Sequence, residues 1–100
     1  MSAAASIKDA LEQRARQIKA SPSIGQGTAV TKVTLHPGLA CEVEDGPWRF
    51  NVGMTDKYGG ANTGPNPGVY GRAALGSCLA IGYGMWAARL EIPIRSLTVE

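Results

Sequence analysis

The sequence lacks a strong net charge, a signal peptide and a cluster of metal ligands. Lysine and arginine number 10 against 8 aspartates and glutamates, an excess too small to favour nucleic acid or an acidic membrane surface as a partner. The N-terminal segment MSAAASIKDALEQ lacks the basic start and apolar core of a signal peptide, so we expect a cytoplasmic chain whose two cysteines are reduced. His36 is the only histidine and no cluster of other ligands accompanies it, so we expect no metal and no cofactor.

Long apolar runs are also absent. The longest run without a charge lies between Arg72 and Arg89 and holds 16 residues. A membrane-spanning helix needs about 20 apolar residues, so we expect no membrane segment. With 44% apolar and 18% charged residues in a chain of 100, the composition indicates a single globular domain over residues 1–100.

The hydrophobic pattern predicts an α+β fold. Residues 1–26 are expected to form an N-terminal helix and a linker, with Ser6 and Asp9 at the spacing of a capping box. From Thr28 the period changes to two, and the turns HPG and DGP divide residues 27–53 into three strands. This pattern predicts an antiparallel meander with one buried face, followed by a polar, glycine-rich loop over residues 54–66.

A long second helix is predicted over residues 67–91, because Asn66 supplies a capping side chain and Pro67 suits the first helical position. It is apolar nearly all round, so we expect it to be buried on most sides. Gly76, Ala80 and Gly84 form a strip of small residues where another backbone can approach. Residues 93–100 have the pattern of a strand without a partner, so we expect a fragment, or a fold that another chain completes.

The residues around Cys78 leave two interpretations open. Its helical neighbours three, four and seven positions away carry no charge, so a thiol among them alone is an inert filler. Polar groups delivered by another element would instead make it reactive. Cys41 alternates with apolar strand residues as a core filler does, and Trp48 and Trp86 are expected in the core.

The stretch NPGVYGRAALGSCLAIGYGMWAARLEIPIRSLTVE resembles the central helix of the OsmC/Ohr family, the osmotically inducible protein C and organic hydroperoxide resistance proteins. In that family an Asn-Pro pair opens the helix and a cysteine follows twelve residues after the asparagine, as Cys78 follows Asn66 here. The resemblance covers residues 27–100, the N-terminal and central parts of the family fold. It implies an OsmC-like intertwined homodimer that lacks the family's C-terminal half.

The resemblance also implies an activity. Cys78 would be the peroxidatic nucleophile of a thiol-dependent peroxidase that reduces organic hydroperoxides in an antioxidant stress response. An external thiol, such as a lipoyl protein, would be the reductant. His36, Arg49 and Arg72 are the candidates for stabilising the thiolate, and Cys41 is the candidate resolving thiol.

Two positions depart from the family pattern. The peroxidases carry a glutamate two residues after the asparagine, where this chain has Gly68. They also place an arginine on the early hairpin, whereas no arginine occurs here between Arg16 and Arg49. The missing glutamate favours an alternative, a catalytically silent OsmC-like dimer that binds a small apolar ligand or a partner, whereas the Asn66–Cys78 spacing favours the peroxidase.

Overall fold

A computed structural model describes residues 2–100 of the chain, which form two compact units. The first unit contains the residues up to Gly27 together with Leu75–Glu100, and the second contains Thr28–Ala74. The architecture is α+β, with two α-helices and one three-stranded antiparallel sheet among the described residues.

The N-terminal helix α1 covers Ala3–Ala20 and begins earlier than predicted. The hydroxyl of Ser2 accepts a hydrogen bond from the backbone N–H of Ala5 over 3.1 Å, so Ser2 is the N-cap. The predicted cap at Ser6 is therefore wrong, because the alanines before it already adopt helix, the conformation that alanine favours most. A short 3-10 turn over Pro22–Gly25 follows the helix, as the Ser-Pro break indicated.

The predicted meander is confirmed. Strands β1 (Lys32–His36), β2 (Ala40–Asp45) and β3 (Trp48–Val52) pair antiparallel in the order of the sequence. The regular strand begins at Lys32 rather than at Thr28. Its register places Val33 opposite Val43 and Val43 opposite Phe50, so these apolar side chains share one face of the sheet.

The sheet does not bury that face as predicted. Val43 alone among the strand residues is buried, with 5% of its surface exposed, while Leu35 and Phe50 are exposed. Within the second unit too few apolar groups lie over the sheet to cover it, because the unit holds no long helix of its own beyond the first turns of α2. The apolar face is therefore a surface that this unit leaves open.

The glycine-rich segment after β3 is held by backbone hydrogen bonds. Gly53 N–H donates to the carbonyl of Pro65 over 3.0 Å, and Ala61 N–H donates to the carbonyl of Gly38 over 2.9 Å. A Cβ on Gly60 would lie 2.1 Å from the carbonyl oxygen of Met54, so only glycine fits there. The glycine at this position allows two segments of backbone to approach closely. A 3-10 turn over Asp56–Tyr58 is the only helical part of the loop.

The second helix α2 covers Pro67–Arg89, two residues shorter than predicted. Asn66 caps it as expected, since its side-chain oxygen accepts from the N–H of Val69 over 3.1 Å. The expected burial is wrong: Ala88, 6% exposed, is the only buried residue of the helix. Its apolar composition therefore produces an open apolar surface in the first unit, not a core.

The predicted strand over residues 93–100 is also wrong. After Arg89 the chain makes a turn, a bend and irregular structure to Glu100. Residues 94 and 97 are exposed, and none of this segment joins a ladder with another described residue. An isolated strand has no hydrogen-bond partners for its backbone, so an alternating pattern alone does not make a strand.

Candidate functional site

Cys78 lies on the part of α2 that belongs to the first unit, and its thiol is exposed. It lies at an open groove of about 200 Å³ that is lined besides by Leu79, Gly82, Tyr83 and Trp86. Within residues 2–100 the sulfur has neither a hydrogen bond nor an ion pair. The site therefore offers a reachable thiol beside apolar and aromatic surface, without a cation in contact.

A second, smaller recess continues toward the end of the helix. Its volume is about 120 Å³ and its lining comprises Leu11, Met85, Trp86 and Arg89. The guanidinium of Arg89 lies 5.0 Å from the ring centre of Trp86, a cation–π distance. Trp86 lines both recesses, so the same indole ring borders the recess that contains Cys78 and the recess that contains Arg89.

The sequence did not assign a site role to Trp86 and Arg89, and it wrongly placed the two tryptophans in the core. Trp86 is 58% exposed and Trp48 is 72% exposed. One signal was available: Cys78, Gly82, Met85 and Arg89 are spaced by four, three and four residues, which places them on one helix face. The sequence could not show that this face stays uncovered.

His36 and Arg49 meet in the second unit, around a shared carboxylate. His36 Nε2 lies 3.5 Å from Glu42 Oε2, and Arg49 Nη1 lies 3.4 Å from Glu42 Oε1. Arg49 also donates a short hydrogen bond to Glu44. These side chains are partly exposed, so each pair stabilises the sheet by at most about 1 kcal/mol. Both candidate activators thus have a carboxylate as a neighbour within the second unit.

Arg72 lies on the first turns of α2, in the second unit. Its Nη1 is 3.2 Å from where a Cβ on Gly68 would be, and Asn66 Oδ1 is 3.3 Å from the same point. The absence of a side chain on Gly68 therefore leaves room that the Arg72 side chain occupies. Among the described residues, no carboxylate forms an ion pair with Arg72.

Cys41 is half-buried on the apolar face of the sheet, where it pairs with Leu35 on one side and Val52 on the other. Both cysteines are free thiols. Cys41 belongs to the second unit and Cys78 to the first.

Another recess of the first unit, about 470 Å³ in volume, lies between α1 and the end of α2. Lys8 Nζ contacts Glu91 Oε1 there over 2.9 Å. The hydrogen bond and the charge of Glu91 raise the pKa of Lys8, and the same bond and the charge of Lys8 lower the pKa of Glu91. This ion pair links the two ends of the chain within the unit.

A metal-binding cluster and a membrane-spanning helix are both absent from the part of the chain that the structure describes. No three His, Cys, Asp or Glu side chains lie close enough together to hold a metal ion. No described helix combines the length and the apolar character needed to cross a membrane.

Comparisons with known proteins add no relative. No protein family, no curated protein and no solved structure matches this chain.

Proposed function

We propose that the protein reduces organic hydroperoxides through Cys78. The observation that supports this most strongly is the exposed thiol at an apolar groove, which joins an attacking atom to a surface for a substrate tail. The Asn66–Cys78 spacing supports it as well, through the resemblance to the OsmC/Ohr family, to which we propose that the chain belongs.

The chemistry requires one thiolate and one peroxide. The Cys78 sulfur attacks the outer peroxide oxygen, the O–O bond breaks, and a proton is added to the departing alkoxide, giving an alcohol and a sulfenic acid. A second thiol then attacks the sulfenic sulfur, releasing water and forming a disulfide. An external dithiol, such as a lipoyl group, restores the Cys78 thiol by exchange and leaves as its own disulfide.

The groove favours alkyl or aryl hydroperoxides over hydrogen peroxide. Leu79, Tyr83 and Trp86 offer apolar contact to a tail, and each buried methylene contributes about 0.8 kcal/mol. Hydrogen peroxide has no tail and gains nothing from this surface. We expect cumene hydroperoxide to be consumed faster than hydrogen peroxide.

A cation near the sulfur must come from elsewhere in the assembly. Of the three candidates, Arg49 forms ion pairs with carboxylates and His36 lies 3.5 Å from one, whereas Arg72 forms no ion pair among the described residues. Arg72 is therefore the activator that we favour. A homodimer with each α2 covered by a second copy would also bury the open apolar surfaces of both units.

The test is consumption of cumene hydroperoxide with dihydrolipoamide as reductant. We expect Cys78→Ser to abolish activity and Arg72→Gln to lower it strongly. Arg95→Gln, which removes an exposed arginine outside the groove, is the matched control. Cys41→Ser decides the resolving step: retained turnover assigns resolution to the external thiol. Full activity of Cys78→Ser would refute the proposal.

A second candidate function is a silent OsmC-like dimer that binds a small apolar ligand or a partner. The observation that favours it is that the described lining of the groove at Cys78 contains no charged side chain. Alkylation of Cys78 across pH separates the two functions. A rate that rises only above about pH 8.5, where an ordinary thiol ionises, supports the silent dimer. A rate already maximal at neutral pH supports the peroxidase.

A further inference from the structure

The recess between α1 and the end of α2 is separate from the groove at Cys78. Its volume of about 470 Å³ lies in the range of sites that bind small molecules, and no residue that lines it also lines that groove. Ala88 lines the recess and is the only buried residue of α2. The recess therefore lies on the side of α2 that packs toward α1 within the first unit, not on the exposed surface that the proposed dimer would cover.

The lining of the recess combines apolar and charged side chains. Its apolar part consists of four alanines with Ile92 and Pro93, and its charged part consists of Lys8, Asp9, Glu12 and Glu91. Three carboxylates and one ammonium group give the recess a net charge of −2 at neutral pH. The whole chain has 10 cationic side chains against 8 anionic ones, so the recess has the opposite sign of charge.

Two of the three carboxylates are free to meet a ligand. Lys8 Nζ lies 2.9 Å from Glu91 Oε1, so these two charges compensate each other. Among residues 2–100, Asp9 and Glu12 form no ion pair. They are three positions apart on α1, so they lie on one face of the helix. Besides the hydrogen bond and the charge of Glu91, the charges of Glu12 and Asp9 raise the pKa of Lys8, so both carboxylates act on the same region of the recess.

The end of α2 fixes Glu91 in its contact with Lys8. Glu91 has φ +56°, a left-handed conformation in which glycine is the usual residue. The N–H of Ile92 donates to the carbonyl of Ala87 over 2.8 Å, and the N–H of Glu91 donates to the carbonyl of Ala88 over 3.3 Å, as in a Schellman motif. A glutamate here has a backbone cost that glycine would avoid. Its carboxylate engages Lys8 and so leaves the other two carboxylates unneutralised.

We propose that this recess binds a small organic ammonium ion, with the ammonium group at Asp9 and Glu12 and an apolar body against the alanines and Ile92. An ammonium group has three N–H donors, and carboxylates accept from it in charge-assisted hydrogen bonds. The apolar body gains free energy because it leaves water. The negative charge of the recess selects against anions. The site does not involve Cys78, so the inference goes beyond the proposed peroxidase and does not depend on it.

The test is an NMR titration of the full chain at pH 7 with three probes. 2-Phenylethylamine has both the charge and the apolar body, 2-phenylethanol has the body alone, and methylamine has the charge alone. We expect 2-phenylethylamine to bind most tightly, with saturable shifts at the amides of Ala5 and Ala88, which line the recess. Added salt should weaken the binding of 2-phenylethylamine and leave that of 2-phenylethanol unchanged, because only the amine is held by charge.

Variants of the lining test each part of the site. Asp9→Asn and Glu12→Gln should each weaken 2-phenylethylamine binding about threefold, as expected for an exposed ion pair, and leave 2-phenylethanol unchanged. Glu100→Gln removes an exposed carboxylate outside the recess and should alter neither. Ala4→Leu fills the apolar part at an exposed helical position, where leucine also favours helix, and should weaken the binding of both probes.

The outcomes separate the parts of the proposal. Equal affinity for the amine and the alcohol, or an Asp9→Asn, Glu12→Gln double variant that binds the amine as the wild type does, overturns the role of the carboxylates. Methylamine that binds as tightly as 2-phenylethylamine overturns the role of the apolar lining. Absence of saturable shifts at Ala5 and Ala88 overturns the site itself. A peroxidase test that fails while 2-phenylethylamine binds leaves this site standing, because the two sites share no lining residue.

Discussion

The hydroxyl of Tyr70 donates a hydrogen bond to the backbone carbonyl of Asn51 over 2.7 Å. The Tyr70 ring also lies 5.1 Å from the ring of Phe50, with the two planes tilted by 32°. A side chain on the first turn of α2 thus holds the end of β3 by one polar and one aromatic contact. This pair fixes the start of the helix that carries Cys78.

Tyr70→Phe removes the hydrogen bond and keeps the aromatic contact. We expect it to lower the free energy of unfolding by about 1 kcal/mol, the net value of one such bond. Thermal unfolding followed by circular dichroism measures the change. Tyr83→Phe removes a hydroxyl that makes no hydrogen bond among the described residues, and it should be nearly neutral; equal losses in the two variants would contradict the role of Tyr70.

Asn66→Ala removes the cap of α2. The N–H of Val69 then loses its side-chain partner, and we expect a loss of about 1 kcal/mol in the free energy of unfolding. Asn66→Asp keeps a capping oxygen and should retain most of the stability. Denaturant titration distinguishes the two variants. An Asn66→Ala variant as stable as the wild type would contradict a stabilising role for the Asn66 cap.

Gly60→Ala introduces a methyl group 2.1 Å from the carbonyl oxygen of Met54. Backbone must move to relieve this overlap, so we expect a destabilisation of about 2 kcal/mol or more. Gly27→Ala is the matched control, because a Cβ there meets nothing within 4 Å. A Gly60→Ala protein with the same melting temperature as the wild type would show that the loop does not need the close approach of backbone at Gly60.

The Lys8–Glu91 pair predicts a specific pH dependence. The pKa of Glu91 is lowered, so its contribution is present above the usual value of 4.5 and is lost as pH falls through the lower pKa of the folded state. The pKa of Lys8 is raised, so its contribution is present below 10.5 and is lost as pH rises through the folded value. The contact is therefore complete across the neutral range.

Carbon NMR titration of the Glu91 carboxyl group measures this directly. Lys8→Gln should raise the pKa of Glu91 toward its usual value, since the hydrogen bond and the charge are both removed. Lys19→Gln, which removes a charge from the last turn of α1, should leave it unchanged. Added salt should reduce the difference because both groups are exposed. Identical titrations in all three proteins would contradict the pairing.

The local features of the fold were predictable from sequence. The alternation of Val33, Leu35, Val43 and Phe50 with polar residues predicts the strands, and the HPG and DGP turns fix their antiparallel pairing. The cap at Asn66 follows from a short polar side chain before proline. Each of these features depends on residues that are close together in the sequence, so a local sequence pattern is enough to predict it.

Features that depend on distant partners were not predictable in the same way. Residues 93–100 alternate as a strand does, yet no described strand pairs with them. Apolar composition predicts that α2 is covered, but the sequence does not say by what, and only Ala88 is buried. For the same reason, the sequence leaves two interpretations of Cys78 open, because the helical neighbours three, four and seven positions away carry no charge.

The most direct test of the central claim is mass spectrometry of the protein after one equivalent of cumene hydroperoxide. If the exposed Cys78 is the peroxidatic thiol, the peptide that contains it gains one oxygen, or a disulfide, faster than the peptide that contains Cys41. The Cys78→Ser protein should then leave the hydroperoxide unreduced. Oxidation of Cys78 no faster than that of free cysteine, or undiminished peroxide consumption by Cys78→Ser, would contradict the account.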